Sequence, residues 1–332
     1  MAQEHQLDVK DRNILAELDI NARQSNNQIG AKVRLSKEVV NYRINRLKEK
    51  GIIIRFHTVI NYFKLGIIKF KLYLRLTKAN KEKITEIAEF FQKHHKTEWV
   101  ALTTGRWDLI VGFLVHNVNE FDDEVQTALN TFSEYIQEKA VTTTLYLAHQ
   151  VRTFLKKESH KELSKVVYHT SKDKQEKIDK IDQEIIKAVT NNARMPVTDI
   201  AKKTNTTARM VQYRLQELER KKIILAYKTH LEPKAMDKIF CKLIIYLNNT
   251  TDTKLQNFIY NASSLPGAIW PQRVLGNWDF EIDFELDNYD FFQEIIFNLK
   301  EKFPDLIKNH EFCITSKEFK LDLYPNAYPE FK

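Results

Sequence analysis

The spacing of apolar residues changes along the chain from a helical period to a strand period. Between residues 7 and 50 apolar residues recur at helical spacing in three short segments, and Val40, Ile44 and Leu47 mark the third. Three short helices joined by tight turns are typical of a helix-turn-helix. From about residue 66 apolar and polar residues alternate instead, as they do in a half-buried strand.

The remainder of this region predicts a second kind of domain. After the first strand we expect a helix, two strands joined by a tight turn, a second helix and a last strand. The first helix is expected over 81–93, and the next two strands pass through Trp99 and run from Leu109 to Val115. The second helix is expected over 119–132 and the last strand near 138–147. The order β-α-β-β-α-β is that of a ferredoxin-like unit.

The whole pattern occurs twice, at a constant offset of 171 residues. The pairs are Asp8 and Asp179, Arg23 and Arg194, Tyr42 and Tyr213, Trp99 and Trp270, Gly105 and Gly276, and Asp108 and Asp279. An offset that persists this far without net gaps indicates a tandem duplication. We therefore predict an α+β protein with a helix-turn-helix at 7–60, a βαββαβ domain at 61–154, a charged linker at 155–177, a second helix-turn-helix at 178–231 and a second βαββαβ domain at 232–325.

Composition excludes several classes of protein. None of the 7 glycines forms a phosphate-binding GxGxxG or P-loop motif, and 2 cysteines are too few for a disulfide framework or a cysteine-ligated zinc site. No apolar run approaches the ~20 residues that span a bilayer. The first residues are polar, so we expect a cytoplasmic protein without a membrane partner.

The net charge of +8 is concentrated in two places. Residues 32–50 hold 7 basic and 2 acidic residues, and residues 202–222 also hold 7 and 2, so each segment nets +5. Both segments contain the predicted third helix of a helix-turn-helix. Basic charge on such a helix points to double-stranded DNA as the partner, whereas an isolated charge run is usually solvated.

These stretches resemble the Lrp/AsnC ("feast/famine") family of transcription regulators. DRNILAELDINARQSNNQIG and IDQEIIKAVTNNARMPVTDIA are similar to the start of the family's helix-turn-helix, and TTGRWDLIVGF and VLGNWDFEIDF are similar to the Gly-x-x-Asp turn of its βαββαβ (RAM) domain. The resemblance implies a DNA-binding regulator without catalytic residues, metal or cofactor. Two turn positions depart from the family's small residue: Arg34 in copy one and Asn205 in copy two.

A helix-turn-helix reads DNA by placing its last helix in the major groove. Amides can pair with adenine, and basic side chains can read guanine or hold phosphate. The DNA-binding candidates are Ser36, Lys37, Asn41, Tyr42, Arg43, Asn45 and Arg46 in copy one, and Thr207, Arg209, Gln212, Tyr213, Arg214 and Gln216 in copy two. The two arginines beside the buried stripe, Arg43 and Arg214, are expected to hold phosphates or to brace the fold.

The resemblance also implies a small effector, such as an amino acid, near the Gly-x-x-Asp turns. The candidate residues are Thr103, Thr104, Gly105, Arg106 and Asp108, with Leu275, Gly276, Asn277 and Asp279 in copy two. In the alternative interpretation, the glycine only makes a tight hairpin and the aspartate caps it. Both interpretations stay open at this point.

The sheet faces that point away from the helices carry opposite charges. Copy one places Lys69, Lys71 and Arg75 there, and copy two places Glu281, Asp283 and Glu285 there. We therefore predict that the copies pair with each other, as a pseudo-dimer within one chain or by exchange between chains. The alternative is that both faces are solvated.

Two other functions compete with gene regulation. Sirohaem decarboxylases resemble this two-part architecture, but their function needs a tetrapyrrole pocket lined by histidine and arginine. The 10 histidines here are scattered, with no pair recurring at the repeat spacing. The other alternative is an architectural protein that wraps DNA without sequence preference.

Overall fold

A computed structural model describes residues 7–155 and 167–324. The elements are, in chain order, α1 (Val9–Ile20), α2 (Asn26–Val33), α3 (Lys37–Glu49), β1 (Ile53–Ile60), β2 (Ile68–Leu76), α4 (Lys81–Lys93), β3 (Thr97–Gly105), β4 (Leu109–Val115), α5 (Val118–Phe132), β5 (Ile136–His149), β6 (Val167–Thr170), α6 (Lys180–Thr190), α7 (Val197–Lys203), α8 (Ala208–Arg220), β7 (Ile224–Leu231), β8 (Ile239–Leu247), α9 (Asp252–Ser263), β9 (Ala268–Gly276), β10 (Phe280–Leu286), α10 (Tyr289–Lys302) and β11 (Ile307–Leu321). The α+β fold class and the duplicated order of elements agree with the sequence prediction.

The chain forms two compact units. Among the described residues, one unit, the reader unit, comprises 7–61, 149–155, 167 and 176–239, and the other, the sheet unit, comprises 62–148, 168–175 and 240–324. Each unit therefore combines equivalent parts of both copies. No helix in the described ranges is both long enough and apolar enough to cross a membrane.

In the reader unit each copy folds as three helices followed by a strand. The third helices, α3 and α8, bury the predicted stripe of Val40, Ile44 and Leu47 and its counterpart Val211, Leu215 and Leu218. Ser36 and Thr207 cap these helices by accepting hydrogen bonds from backbone N–H groups. The opposite faces of both helices are left for solvent or a partner.

The turn before each third helix has the same geometry in both copies. Arg34 has φ 56° and Asn205 has φ 49°, so both adopt the left-handed conformation. The left-handed conformation is sterically unfavourable for arginine. It is less unfavourable for asparagine, whose short polar side chain can form a local hydrogen bond. The departure at Arg34 therefore leaves the path of the turn unchanged.

Strands β1 and β7 join the two copies of the reader unit. They pair antiparallel, with Phe56 opposite Thr229 and Thr58 opposite Tyr227. Residues of the two strands are 171 apart in the repeat, but their pairing between the copies is a tertiary feature. It ties the two helix-turn-helix domains together through their backbones.

In the sheet unit, the two βαββαβ sheets form one closed ring of strands. The order is β2-β4-β3-β11-β8-β10-β9-β5, with β5 pairing back to β2 and β6 added beside β5. An eight-stranded ring encloses a space that side chains can fill. Helices α4 and α5 pack on one face of the copy-one strands, around Phe91, Phe121 and Val125. The other face meets copy two in a cluster that includes Tyr73, Ile244 and Trp278.

The predicted linker at 155–177 is wrong in part. Residues 167–170 form β6 at the edge of the sheet, and the His169 side chain is only 1% exposed. The His169 ring packs against Tyr62 and Phe63, with ring centroids 4.5 and 5.5 Å away. These aromatic contacts stabilise a short edge strand. The lysine-rich composition of the segment did not predict a strand there. Residues 156–166 of the predicted linker lie outside the described residues.

Candidate nucleic-acid interface

Ten of the thirteen predicted DNA-binding residues lie on exposed surface of the reader unit. They are Ser36, Lys37, Asn41, Tyr42, Asn45, Thr207, Arg209, Gln212, Tyr213 and Gln216. The Tyr42 side chain is 64% exposed and its counterpart Tyr213 is 56% exposed. The same helix face of both copies therefore leaves a large aromatic side chain open to solvent or a partner.

The other three predicted residues are arginines that fasten the third helix to the first. Arg43 Nη1 donates to Asp8 Oδ2 at 2.6 Å and to Asp11 Oδ1 at 2.8 Å, and Arg46 Nη2 donates to Asp11 Oδ2 at 2.6 Å. Arg214 contacts Asp179 and Asp182 in the same way in copy two. The hydrogen bond with Asp8 is the main reason that the pKa of Arg43 is raised above its ordinary value. These arginines brace the reading helices from the side.

Two further arginines hold the copies to each other by reciprocal contacts. Arg23 Nη1 donates to the carbonyl of Ala193 at 2.6 Å, and Arg194 Nη1 donates to the carbonyl of Ala22 at 2.6 Å. The same exchange occurs in the backbone, where Ala22 N donates to Tyr227 O and Ala193 N to Phe56 O. Because each bond has a partner at the repeat offset, the two readers are related by a pseudo-twofold arrangement within the reader unit.

One of these arginines is also connected to a reading helix. Arg194 Nη2 donates to Asn26 Oδ1 at 2.7 Å, and Asn26 Nδ2 donates to Asn41 Oδ1 at 3.1 Å. Asn26 and Asn41 both line an open groove on the exposed side of α3, which Lys37 and Tyr42 also line. Val197 occupies the position of Asn26 in copy two. The connection from Arg194 therefore leads to the reading helix of copy one, and Val197 cannot form its equivalent in copy two.

Sequence reasoning did not assign a role to Asp11, Asn26, Arg23 or Arg194. The repeat could have drawn attention to Arg23 and Arg194, since an arginine occurs at this position in both copies. A conserved repeat position does not show which atoms an arginine contacts. Asn26 has no counterpart at the offset, so the sequence contains no comparable signal for it.

The predicted effector residues lie at two hairpin turns of the sheet unit. Asp108 Oδ2 accepts a hydrogen bond from Leu76 N and Asp279 Oδ2 accepts one from Leu247 N, both at 2.7 Å. Thr103 Oγ1 donates to the carbonyl of Trp107 and Asn277 Oδ1 accepts from Val141 N. Of these bonds, the Thr103 bond lies within its own hairpin, whereas the Asp108 and Asp279 carboxylates attach their hairpins to the ends of β2 and β8. Thr104 and Leu275 are exposed at the ends of their strands.

Arg106 and the two turn glycines are engaged with neighbouring strands. Arg106 Nη1 donates to Glu138 at 2.9 Å, and its Nε donates to Glu311 at 3.4 Å. A Cβ added to Gly105 would lie 2.6 Å from the carbonyl oxygen of Phe312, and one added to Gly276 would lie 2.2 Å from that of Val141. The glycines therefore permit close approach of a strand from the other copy.

The charged faces of the two sheets are buried, so the alternative that both are solvated is wrong. Lys71 Nζ lies 2.5 Å from Glu281 Oε2, which joins copy one to copy two. Lys242 lies 2.8 Å from Asp283 within copy two. Lys69 likewise contacts Glu98 of its own copy at 2.7 Å, and Arg75 is exposed. The opposite charges thus meet between the copies at the Lys71–Glu281 pair, while Lys242 and Lys69 contact carboxylates of their own copies.

Comparison with known proteins matches both helix-turn-helix domains separately. Residues 7–54 match the winged helix-turn-helix DNA-binding family, and residues 178–219 match the AsnC-type helix-turn-helix domain. An HTH-type transcriptional regulator of Pyrococcus abyssi is 36% identical over 116 residues, which are 34% of this chain and 77% of that protein. Another HTH-type transcriptional regulator, from Methanocaldococcus jannaschii, is 35% identical over 112 residues, 31% of this chain and 69% of that protein.

A solved structure resembles this chain in fold over most of its length. The sirohaem decarboxylase NirDL superposes with a TM-score of 0.62 at 10% identity, over 94% of this chain and 92% of that one. At this identity the likeness concerns the fold.

The fold, the exposed third helices and these matches define a helix-turn-helix transcription regulator. The chain belongs to the Lrp/AsnC family, and it carries the family's combination of helix-turn-helix and βαββαβ domains twice.

Proposed function

We propose that one chain reads an operator made of two unequal half-sites, one for each helix-turn-helix. The observation that carries this proposal is the reciprocal contact of Arg23 and Arg194, which holds the two readers together while α3 and α8 stay exposed. Most helix-turn-helix proteins reach two half-sites by dimerising. Here the second reader is supplied by the same chain, so the copies act as a pseudo-dimer.

The two readers differ in the chemistry that they offer to bases. In copy one Lys37, Asn41 and Asn45 are exposed, and amide side chains there favour adenine. In copy two Arg209, Gln212 and Gln216 are exposed, and the arginine favours guanine through O6 and N7. Arg43, Arg46 and Arg214 position the helices in this scheme. The operator is therefore not a perfect palindrome.

Selection of bound fragments from a genomic library, followed by footprinting, tests the proposal. We expect two protected segments whose centres lie about one helical turn, 10–10.5 base pairs, or a multiple of it apart. Binding that weakens steeply with salt but shows no sequence preference would instead indicate an architectural protein.

Arg209→Ala is expected to weaken binding to the operator by about 5- to 150-fold, since one bidentate guanine contact is worth about 1–3 kcal/mol. The loss should concern the copy-two half-site alone, as measured by affinity for operators changed in one half at a time. Arg220→Ala is the matched control, because Arg220 is exposed on the same helix and paired with Glu217. Equal loss of specificity in both half-sites would contradict independent readers.

Effector binding at the two hairpin turns remains a prediction. The carboxylate of an amino acid bound at Arg106 would have to compete with Glu138 and Glu311. Repeating the footprint with each amino acid added tests whether any of them changes occupancy.

We also propose that the chain is not an enzyme, which its sequence relatives support. A Soret band in the purified protein would contradict that.

A further inference from the structure

We propose that Arg194 of copy two sets the base preference of Asn41 in copy one, with Asn26 as the connecting residue. The inference rests on the proposed function, because it takes Asn41 as a reader of bases. It makes Arg194 a positioning residue that acts across the pseudo-dimer. Its effect therefore falls on the half-site of the other copy.

The direction of the hydrogen bonds follows from the chemistry of arginine. A guanidinium group carries donors only. The atom of Asn26 that lies 2.7 Å from Arg194 Nη2 must therefore be its carbonyl oxygen. This contact is partly buried and continues a set in which Arg194 also donates to the carbonyls of Ala22 and Gln24, at 2.6 and 2.8 Å. The guanidinium is held in place by the backbone of copy one.

With its oxygen turned to Arg194, Asn26 turns its NH2 group to the reading helix. An amide NH2 only donates, so the atom of Asn41 at 3.1 Å from Asn26 Nδ2 must be the carbonyl oxygen. Asn41 then has its own NH2 group without a partner in this connection. Arg194 thus decides which end of the Asn41 amide is the donor left for DNA.

A donor in the major groove distinguishes guanine from cytosine. Guanine presents two acceptors there, N7 and O6, whereas cytosine presents only its N4 donor. Asn41 oriented in this way should therefore prefer guanine to cytosine at the base that it contacts. Adenine, which offers N7 as well as an amino group, remains compatible with the same orientation.

Copy two lacks the chemistry for such a connection. Val197 stands where Asn26 stands in copy one, and a valine side chain has no polar atom. Arg23, the counterpart of Arg194, donates to the carbonyl of Ala193. Gln212, the counterpart of Asn41, is therefore not oriented through this position. The prediction is asymmetric, and copy two provides the control.

Asn26→Asp in the full chain is the decisive variant. The carboxylate still accepts from Arg194 but no longer donates, so Asn41 must turn its NH2 group inward and its oxygen to the groove. We expect the guanine-to-cytosine preference at one base of the copy-one half-site to reverse, changing by up to about tenfold, the upper value for one hydrogen bond. The measurement is selection from an operator library in which each base is randomised, with binding constants for the selected sequences.

Two further variants separate orientation from general loss of structure. Arg194→Met and Asn26→Ala both break the connection without imposing the opposite orientation, so the preference should fall towards equal binding of guanine and cytosine. Arg23→Met removes the pseudo-symmetric contact with Ala193, so it should weaken binding to the operator as Arg194→Met does. It should nevertheless leave the guanine-to-cytosine ratio at the copy-one base unchanged, because Arg23 does not contact Asn26 in this connection. Urea unfolding of each variant checks that it is folded, since a purely structural role would change stability or overall affinity but not the ratio between bases.

The outcomes distinguish this inference from the proposed function. If the wild-type chain selects an operator and Asn26→Asp keeps the wild-type base preference, the inference is overturned. If Arg194→Met alters the copy-two half-site instead of the copy-one half-site, it is overturned as well. If the wild-type chain selects no operator, the proposed function itself fails.

Discussion

Glu281→Gln is expected to lower the free energy of unfolding by about 3–5 kcal/mol, the usual cost of removing one partner from a buried ion pair. The Glu281 side chain is fully buried and contacts Lys71 at 2.5 Å and Lys242 at 3.3 Å. It also accepts a hydrogen bond from Trp278 Nε1 at 2.9 Å. A glutamine leaves two buried ammonium groups without this counter-charge. Urea unfolding of the full chain measures the loss.

Glu138→Gln is the control for this experiment. Glu138 also pairs with a basic residue, Arg106, but its side chain is 45% exposed. Exposed ion pairs contribute little because water and salt screen them. We therefore expect almost no change in stability. Comparable losses in both variants would show that burial of Glu281 does not determine the effect.

The same residue predicts how stability depends on pH. Burial alone would raise the pKa of Glu281, but Lys71 and Lys242 outweigh burial and hold the pKa well below its ordinary value of 4.5. A carboxylate whose pKa is lower in the folded state stabilises the fold above its unfolded pKa. That stabilisation is lost as the pH falls below about 4.5 towards the folded-state pKa. Wild type should lose stability over this range more steeply than Glu281→Gln, as followed by urea midpoints at each pH.

Gly276→Ala is expected to cost about 3 kcal/mol or more, because overpacking and backbone strain each contribute about 1–3 kcal/mol. Gly276 has φ 152°, and a Cβ there would lie 2.2 Å from the carbonyl oxygen of Val141 and 3.0 Å from the Cα of Thr142. Both obstacles are backbone atoms of β5, which pairs with β9 at this point. The strands cannot separate without losing the ladder that closes the ring. Thermal and urea unfolding measure the cost.

Gly51→Lys is the matched control for the glycine. Gly51 has φ 69°, and a Cβ there would meet no atom within 4 Å. Copy two already carries Lys222 at this position with φ 56°. The substitution should cost only the left-handed conformation, about 1–2 kcal/mol. If Gly276→Ala costs no more than Gly51→Lys, the close approach of β5 is not what requires glycine.

The sequence predicted the helices and strands of each copy well because each has a clear apolar period. The stripe of Val40, Ile44 and Leu47 and the alternation from Ile68 onward depend on residues close together in the chain. The predicted linker was partly wrong for the same reason. His169 is buried by Tyr62 and Phe63, more than a hundred residues away, and local composition cannot show such contacts.

The candidate site divides in the same way. Exposure of Asn41, Tyr42 and Arg209 follows from the buried stripe, since the other face of an amphipathic helix must point outward. The connection from Arg194 through Asn26 to Asn41 could not be predicted, because it depends on how one copy lies against the other. The same holds for the engagement of Arg106 by Glu138 and Glu311.

By itself the sequence determined that this protein is a duplicated helix-turn-helix regulator with two basic readers. The repeat offset, the apolar period and the charge are properties of the amino-acid sequence. They do not depend on how the two copies pack against each other. The tertiary structure decided how the copies meet: β1 with β7, and two sheets closed into a ring around Lys71 and Glu281. Pairing of distant strands and burial of charge are decided by the free energy of the assembled fold, which no local pattern records.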